Sequence, residues 1–277
     1  MISFDFEYYR PDDIKEAAEV YAQLQKDGKN PLYFSGGTEV ITMARKGTLK
    51  FDALIDLKNI KEMNGYREDE DGIYFGANMT LNEAAEAKVF PFIGEVVRTI
   101  GDHTIRNRIT LGGNICGRLP YREALLPFLL YDAQVYIAGI NGKKALPLNE
   151  AFNKRLSLSA GEFVVGFKVA GKFKNSKYQS IRKVRTSEID YPLLHIASIK
   201  DEEGIKIAVS GLCAFPFRSY ELEKYVNGTP NTVEIINNVY RFIPASVKED
   251  NLATAEYRKA LFEMSLEKIL EKWGEVK

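Results

Sequence analysis

Cysteine is scarce in this 277-residue chain: Cys116 and Cys213 are the only two, far apart and in no pair motif. That argues against a disulfide framework, a cysteine-held iron–sulfur cluster and a cysteine-based zinc site. An excess of one charge is lacking too. Thirty-eight Lys and Arg balance 38 Asp and Glu, so the basic surplus typical of nucleic-acid binders is missing. Low self-repulsion also permits association with other subunits. No apolar run is long enough to span a bilayer. Residues 1–7 are acidic, without a basic n-region or an apolar h-region, and do not read as a signal peptide. A soluble, cytoplasmic chain is the expectation. Two common phosphate signatures are missing as well. There is no G-x-x-x-x-G-K-[ST] and no G-x-G-x-x-G after a strand, so neither a Walker-type loop nor a Rossmann site is expected.

What is present is a well-stocked interior, 45% hydrophobic and 12% aromatic, enough for packed cores in one large domain or two to three smaller ones. A helix capped by Asp12 carries Ile14, Ala17, Ala18, Tyr21 and Leu24 on one face and stops near Gly28. Strands are expected over residues 32–34, 53–57 and 73–77, with a charged turn over 67–72. Thr80 to Glu83 has the form of a capping box. A helix over 90–100 carries Pro91 near its start, and an apolar helix covers 123–131. Asn141-Gly142 turns a hairpin between 134–139 and 144–146. A strand over 163–167 closes this region, and residues 171–177 read as a linker. Beyond it lie a strand over 178–184, a hairpin of 194–200 with 205–213, and helices over 219–225, 232–242 and 255–273.

Two paired glycines stand out. Phe34-Ser35-Gly36-Gly37-Thr38-Glu39 runs from a strand into a helix expected over Thr38–Arg45. Ile105-Arg106-Asn107-Arg108-Ile109-Thr110-Leu111-Gly112-Gly113-Asn114-Ile115 is the second. Either pair alone reads as a tight turn. Glycine, however, lets backbone N–H groups approach a ligand closely, and a helix start adds positive potential. Flanked by small hydroxyl residues, the two turns have the donors to clamp one diphosphate from two sides.

Together these motifs resemble the FAD-binding subunits of the molybdenum hydroxylases, the medium subunits of the xanthine dehydrogenase and carbon monoxide dehydrogenase type. Gly76-Ala77-Asn78-Met79-Thr80-Leu81, Lys183-Val184-Arg185 with Asp190-Tyr191, residues 211–218 and Ala255-Glu256-Tyr257-Arg258 extend the resemblance over nearly the whole chain. It implies an α+β fold: a p-cresol methylhydroxylase-type FAD-binding domain over residues 1–170, with subdomains of about 1–57 and 58–170, and a C-terminal α+β domain over 171–277. It implies FAD contacts from Leu32, Tyr33, Phe34, Ser35, Gly36, Gly37, Thr38 and Glu39 on one side, and from Ile109, Thr110, Gly112, Gly113 and Asn114 on the other. The family's ribose-binding aspartate falls at Glu123, otherwise a first-turn helix acid. Residues 117–122 depart from the small-residue stretch common in the family. Val164 falls on a strand whose backbone approaches the cofactor. Ile100 falls where a residue packs on the isoalloxazine, and Arg182 where a cation sits near the flavin ring; core packing and a solvated strand edge are the plainer readings of these two.

The resemblance further implies a large molybdopterin-binding subunit, a small [2Fe–2S] subunit, and NAD or another electron acceptor. No catalytic residue or metal ligand is expected in this chain. The Asp102-His103 pair invites an acid–base role that electron transfer through a flavin does not need. His195 reads as structural, Cys116 as a packing residue, and Asp190 with Tyr191 as ties between domains. A self-contained FAD reductase of the same fold type and a flavin-free assembly module remain the alternatives.

Overall fold

The computed structural model describes residues 2–187 and 189–274 and is α+β. Its first layer is built from β1 (Glu7–Tyr9), α1 (Ile14–Lys26), β2 (Pro31–Phe34), α2 (Thr38–Arg45) and β3 (Ala53–Asp56). The three strands form a parallel sheet in the order β1-β3-β2. Helix α1 is capped by Asp13, whose carboxylate accepts from the Glu16 N–H at 2.9 Å, and not by Asp12. Asp12 instead donates its own N–H to the Glu16 carboxylate, so the two residues share the cap. The first glycine pair follows the carboxyl end of β2, the edge of a parallel sheet where ligands bind.

The second unit holds β4 (Tyr66–Asp69), β5 (Gly72–Gly76), α3 (Leu81–Glu86), α4 (Pro91–Arg98), α5 (His103–Arg106), α6 (Leu111–Cys116) and α7 (Leu125–Leu130). It continues through β6 (Gln134–Gly139), β7 (Gly142–Pro147), α8 (Leu148–Ala151), the small hairpin β8 (Phe152–Asn153) and β9 (Arg155–Leu156), and β10 (Phe163–Ala170). The five long strands make an antiparallel sheet, β4-β5-β10-β6-β7. The charged stretch expected as a turn is largely strand β4. All four of its residues are exposed, because it is the sheet's edge and its charges discourage further pairing. Phe75, Phe128 and Phe167 interlock beneath the sheet, with ring centroids 5.7 and 5.1 Å apart.

The capping box at α3 is complete: Thr80 accepts from the Glu83 N–H, and Glu83 accepts from the Thr80 N–H at 2.7 Å. Thr80→Ala should lower stability by about 1 kcal/mol, read as a melting-temperature drop of roughly 2–4 °C, with cofactor content unchanged.

The third unit comprises β11 (Tyr178–Lys183), β12 (Leu194–Asp201), β13 (Gly204–Ser210), β14 (Phe217–Arg218), α9 (Tyr220–Gly228), α10 (Thr232–Asn238) and α11 (Ala255–Trp273). Its four strands pair antiparallel in chain order. The helix expected over 232–242 is α10 followed by a 3-10 turn from Val239 to Phe242. This unit has its own core of Leu194, Ile196, Val209, Phe262 and Leu266, while Ala197, Ile199 and Ala208 on the other face of its sheet join the core of the first two units. The seam between them is aromatic and ionic. Tyr178 stacks on Phe92 at 4.7 Å. Arg218, held within the third unit by two bonds to Glu223 of 2.7 and 3.0 Å, crosses the seam to Asp132 at 2.5 Å.

Candidate functional site

One cavity of about 1280 Å³ collects the motifs. Residues 32–39, Ile100, Ile109, Thr110, Gly112, Gly113, Asn114, Glu123, Val164 and Arg182 all border it. Ordinary small-molecule pockets run to roughly 300–1,000 Å³, so this one has room for a ligand of dinucleotide size.

The first motif is a donor site. Gly37 is the N-cap of α2 with φ +73°, and no side chain caps the helix. The N–H groups of the first turn therefore lack an intrahelical partner and offer themselves to an anion. The glycines have reasons inside the protein. A Cβ on Gly36 would lie 1.9 Å from the Arg108 carbonyl oxygen, and one on Gly37 would lie 2.3 Å from the Phe34 ring. The first motif is thus pressed against the approach to the second. Ser35 is steadied by donating its hydroxyl to Asn78 Oδ1 at 2.8 Å, and Asn78 donates to the Leu57 carbonyl at 2.8 Å. The Glu39 carboxylate accepts the Arg118 N–H at 2.9 and 3.1 Å, which holds the segment after the second motif against α2.

The second motif differs from the expected turn. Thr110 caps α6, and both glycines lie inside that six-residue helix. Glycine weakens a helix by about 1 kcal/mol relative to Ala, so packing decides this one. The Leu111 and Gly112 N–H groups donate to Met79 and Ala77 carbonyls at 2.9 Å each, the Gly113 N–H to Thr110 Oγ1 at 3.1 Å, and the Asn114 N–H to the Thr110 carbonyl at 2.8 Å. A Cβ on Gly112 would stand 2.8 Å from Ala77 Cβ. The amides expected to face a diphosphate are engaged within the chain, and the glycines exist to seat α6 on residues 77–79. Where this segment borders the cavity, Gly113 and Cys116 are exposed and Asn114 is half-buried, while Thr110 is buried.

The polar approach is a buttress. Arg106 donates to the Arg98 and Gly101 carbonyls at 2.9 and 2.7 Å and to Asn82 Oδ1 at 3.0 Å, closing the end of α4. Asp102 caps α5 through the Ile105 N–H at 2.8 Å, so the Asp102-His103 pair is a helix cap beside an exposed histidine. Cys116 is not the buried packing residue expected from sequence. It is exposed at the cavity wall.

Glu123, 3% exposed, ties two strands of the third unit to the cavity. Its Oε1 accepts from Arg182 Nε at 2.8 Å and meets His195 Nδ1 at 2.7 Å; His195 Nε2 meets Ser180 Oγ at 2.8 Å. Arg182 also donates to the Asp190 carbonyl at 2.6 Å. Burial alone would raise the Glu123 carboxyl, but the His195 hydrogen bond and the charges of His195 and Arg182 outweigh it and hold the group below its ordinary range. The residues expected at the ribose (Glu123) and at the flavin ring (Arg182) touch each other at the cavity wall. Sequence reasoning also missed Asn78 and the segment 158–163 in the wall. Asn78 lay within a quoted motif, and only its 6% exposure reveals that the amide is structural. Size, an uncapped helix start and small hydroxyls fit FAD.

The family model describing the FAD binding domain in molybdopterin dehydrogenase matches residues 4–169. The glyceraldehyde dehydrogenase medium chain of Sulfolobus acidocaldarius is 25% identical over 270 residues, 92% of this chain and 93% of that protein. The xanthine dehydrogenase FAD-binding subunit of Escherichia coli O157:H7 is 27% identical over 172 residues, covering 59% of this chain and 58% of its own length. In structure, the chain resembles one in the carbon monoxide dehydrogenase from Hydrogenophaga pseudoflava that lacks the Mo-pyranopterin moiety. The TM-score is 0.87 at 22% identity, over 99% of both chains, and the likeness is one of fold.

Proposed function

Since the chain belongs to the FAD-binding medium subunits of the molybdenum hydroxylase family, we propose that it carries electrons from the [2Fe–2S] clusters of a small partner subunit to NAD⁺ or another acceptor. A large partner subunit would hold the molybdenum cofactor and act on the substrate. FAD is this chain's cofactor, and the chain is an oxidoreductase subunit. The observation that carries the reading is the uncapped start of α2, opening on a dinucleotide-sized cavity that the family's motifs surround.

Bound FAD supplies the electron-exchange chemistry, and the protein supplies position and field. The first-turn amides of α2, with Ser35 and Thr38, hold the diphosphate; Thr110 and Asn114 close on it from the other side. The Glu123–Arg182 pair bridges the second and third units at the cavity wall. There Arg182, fixed by Glu123 and the Asp190 carbonyl, places a cation that favours negative charge on the ring. Ile100 and Val164 exclude water. The FAD-binding domain is residues 1–170, with subdomains of about 1–57 and 58–170, and 171–277 is the C-terminal domain. No helix among the described residues is long and apolar enough to cross a membrane.

The native complex tests this. It should co-purify as a yellow assembly with about one FAD per chain, molybdenum and two [2Fe–2S] clusters, and NADH should bleach the flavin. Bleaching by a reduced iron–sulfur partner but not by NADH would reassign the acceptor. A colourless chain that takes up no FAD would instead support the assembly-module reading.

A further inference from the structure

Among the described residues, Arg122 is a buried cation without a counter-ion. It is 6% exposed and borders the cavity, yet no carboxylate among the described residues pairs with it. Its Nη2 donates to the Lys154 carbonyl at 2.6 Å, its guanidinium lies 5.1 Å from the Phe152 ring centre, and its Nε is buried with no hydrogen-bond partner. Its backbone is held at φ +38°, a region that non-glycine residues seldom adopt. One carbonyl and one ring do not balance a desolvated charge, and burying an unpaired ion is costly. A native chain that keeps such a residue, in a strained conformation, is complete only with an anion beside it.

Position identifies the anion. Arg122 borders the same cavity as Cys116, the last residue of α6, and Glu39, in the first turn of α2. Neither forms an ion pair with Arg122 among the described residues; the Glu39 carboxylate instead accepts the Arg118 N–H. Arg122 therefore shares one cavity with both glycine motifs, and the diphosphate is the anionic part of FAD. The amides of the second motif, meanwhile, are engaged inside the chain.

We propose that Arg122 supplies the second half of the diphosphate clamp, pairing with the phosphates of FAD opposite the first turn of α2. The inference rests on the FAD reading above and assigns the charged contact to a stretch, residues 117–122, that departs from the small residues common in the family.

The test compares two flavins on full-length apoprotein. Riboflavin has no phosphate, so the ratio of FAD affinity to riboflavin affinity isolates the diphosphate contact from any general damage to the fold. Arg122→Met should reduce that ratio roughly ten- to hundredfold, as expected for a charge-assisted contact, while Arg122→Lys should retain most of it. The weakening of wild-type FAD binding by added salt should flatten in Arg122→Met. An unchanged ratio in Arg122→Met, whether both affinities hold or both fall together, overturns the proposal. A wild-type chain that binds neither flavin rejects the FAD reading itself, and this inference with it.

Discussion

A Gly36→Ala chain should purify without FAD. The added methyl would stand 1.9 Å from the Arg108 carbonyl oxygen and 3.0 Å from its carbon. Backbone atoms are on the other side, so no flexible side chain can swing away. Relief requires the first motif and the approach to the second to separate, which moves the uncapped turn of α2 off its anion. We expect FAD affinity to fall by more than about a hundredfold and stability to drop by roughly 2–4 kcal/mol, as overpacking against backbone does. Flavin content by absorbance and thermal melting measure the two effects. Gly228→Ala is the control: nothing lies within 4 Å of that Cβ, so FAD content should match wild type. A Gly36→Ala chain with stoichiometric FAD would mean that the two motifs do not meet at the cofactor.

The second large effect is Glu123→Gln. The change removes the charge that compensates Arg182 and weakens the acceptor that holds His195, at a site almost fully closed to solvent. Breaking one partner of a buried pair costs about 3–5 kcal/mol, or roughly 6–20 °C in melting temperature for a chain of this size. The penalty depends on pH, and its sign is set by the shift. The carboxyl lies lower in the folded chain than its ordinary value of 4.5. Its ionisation therefore stabilises the fold at pH values above the ordinary one, and that contribution is lost as pH falls through the folded value. The wild-type advantage over Glu123→Gln should be full near neutrality and shrink in acid, in denaturation curves at each pH. An equal gap at neutral and strongly acidic pH would show that Glu123 acts by shape alone.

Much of the scaffold could be read from local pattern. Helix α2 and helix α11 occupy the spans expected for them, and Asn141-Gly142 turns the hairpin of β6 and β7, because caps, glycine stops and apolar periodicity are local signals. Strand β4 was hidden because an exposed edge carries no apolar alternation, and its charges mimic a turn. Helix α6 was hidden because two glycines oppose helix locally, and its support comes from Ala77 and Met79, more than thirty residues earlier. The same distance effect misassigned the glycines. Sequence shows that a backbone must approach something closely, but only the fold shows that Gly36 approaches Arg108 and Gly112 approaches Ala77. Glu123 and His195 are 72 positions apart, and their 2.7 Å contact leaves no trace in either neighbourhood.

That contact has a consequence for how the subunit holds together. Glu123 sits just before α7, Arg182 and His195 sit on β11 and β12, and both Glu123 and Arg182 border the cavity. A ligand filling the cavity touches two separately packed cores at once and so acts as a reversible cross-link between them. At a free concentration one hundred times its Kd, such a ligand adds about 2.7 kcal/mol to the folded, docked state. Linkage makes the effect mutual: whatever loosens the docking of the third unit weakens the cofactor by the same factor. A distant lesion in the Arg218–Asp132 seam would then show itself first as lost flavin colour, before any loss of secondary structure.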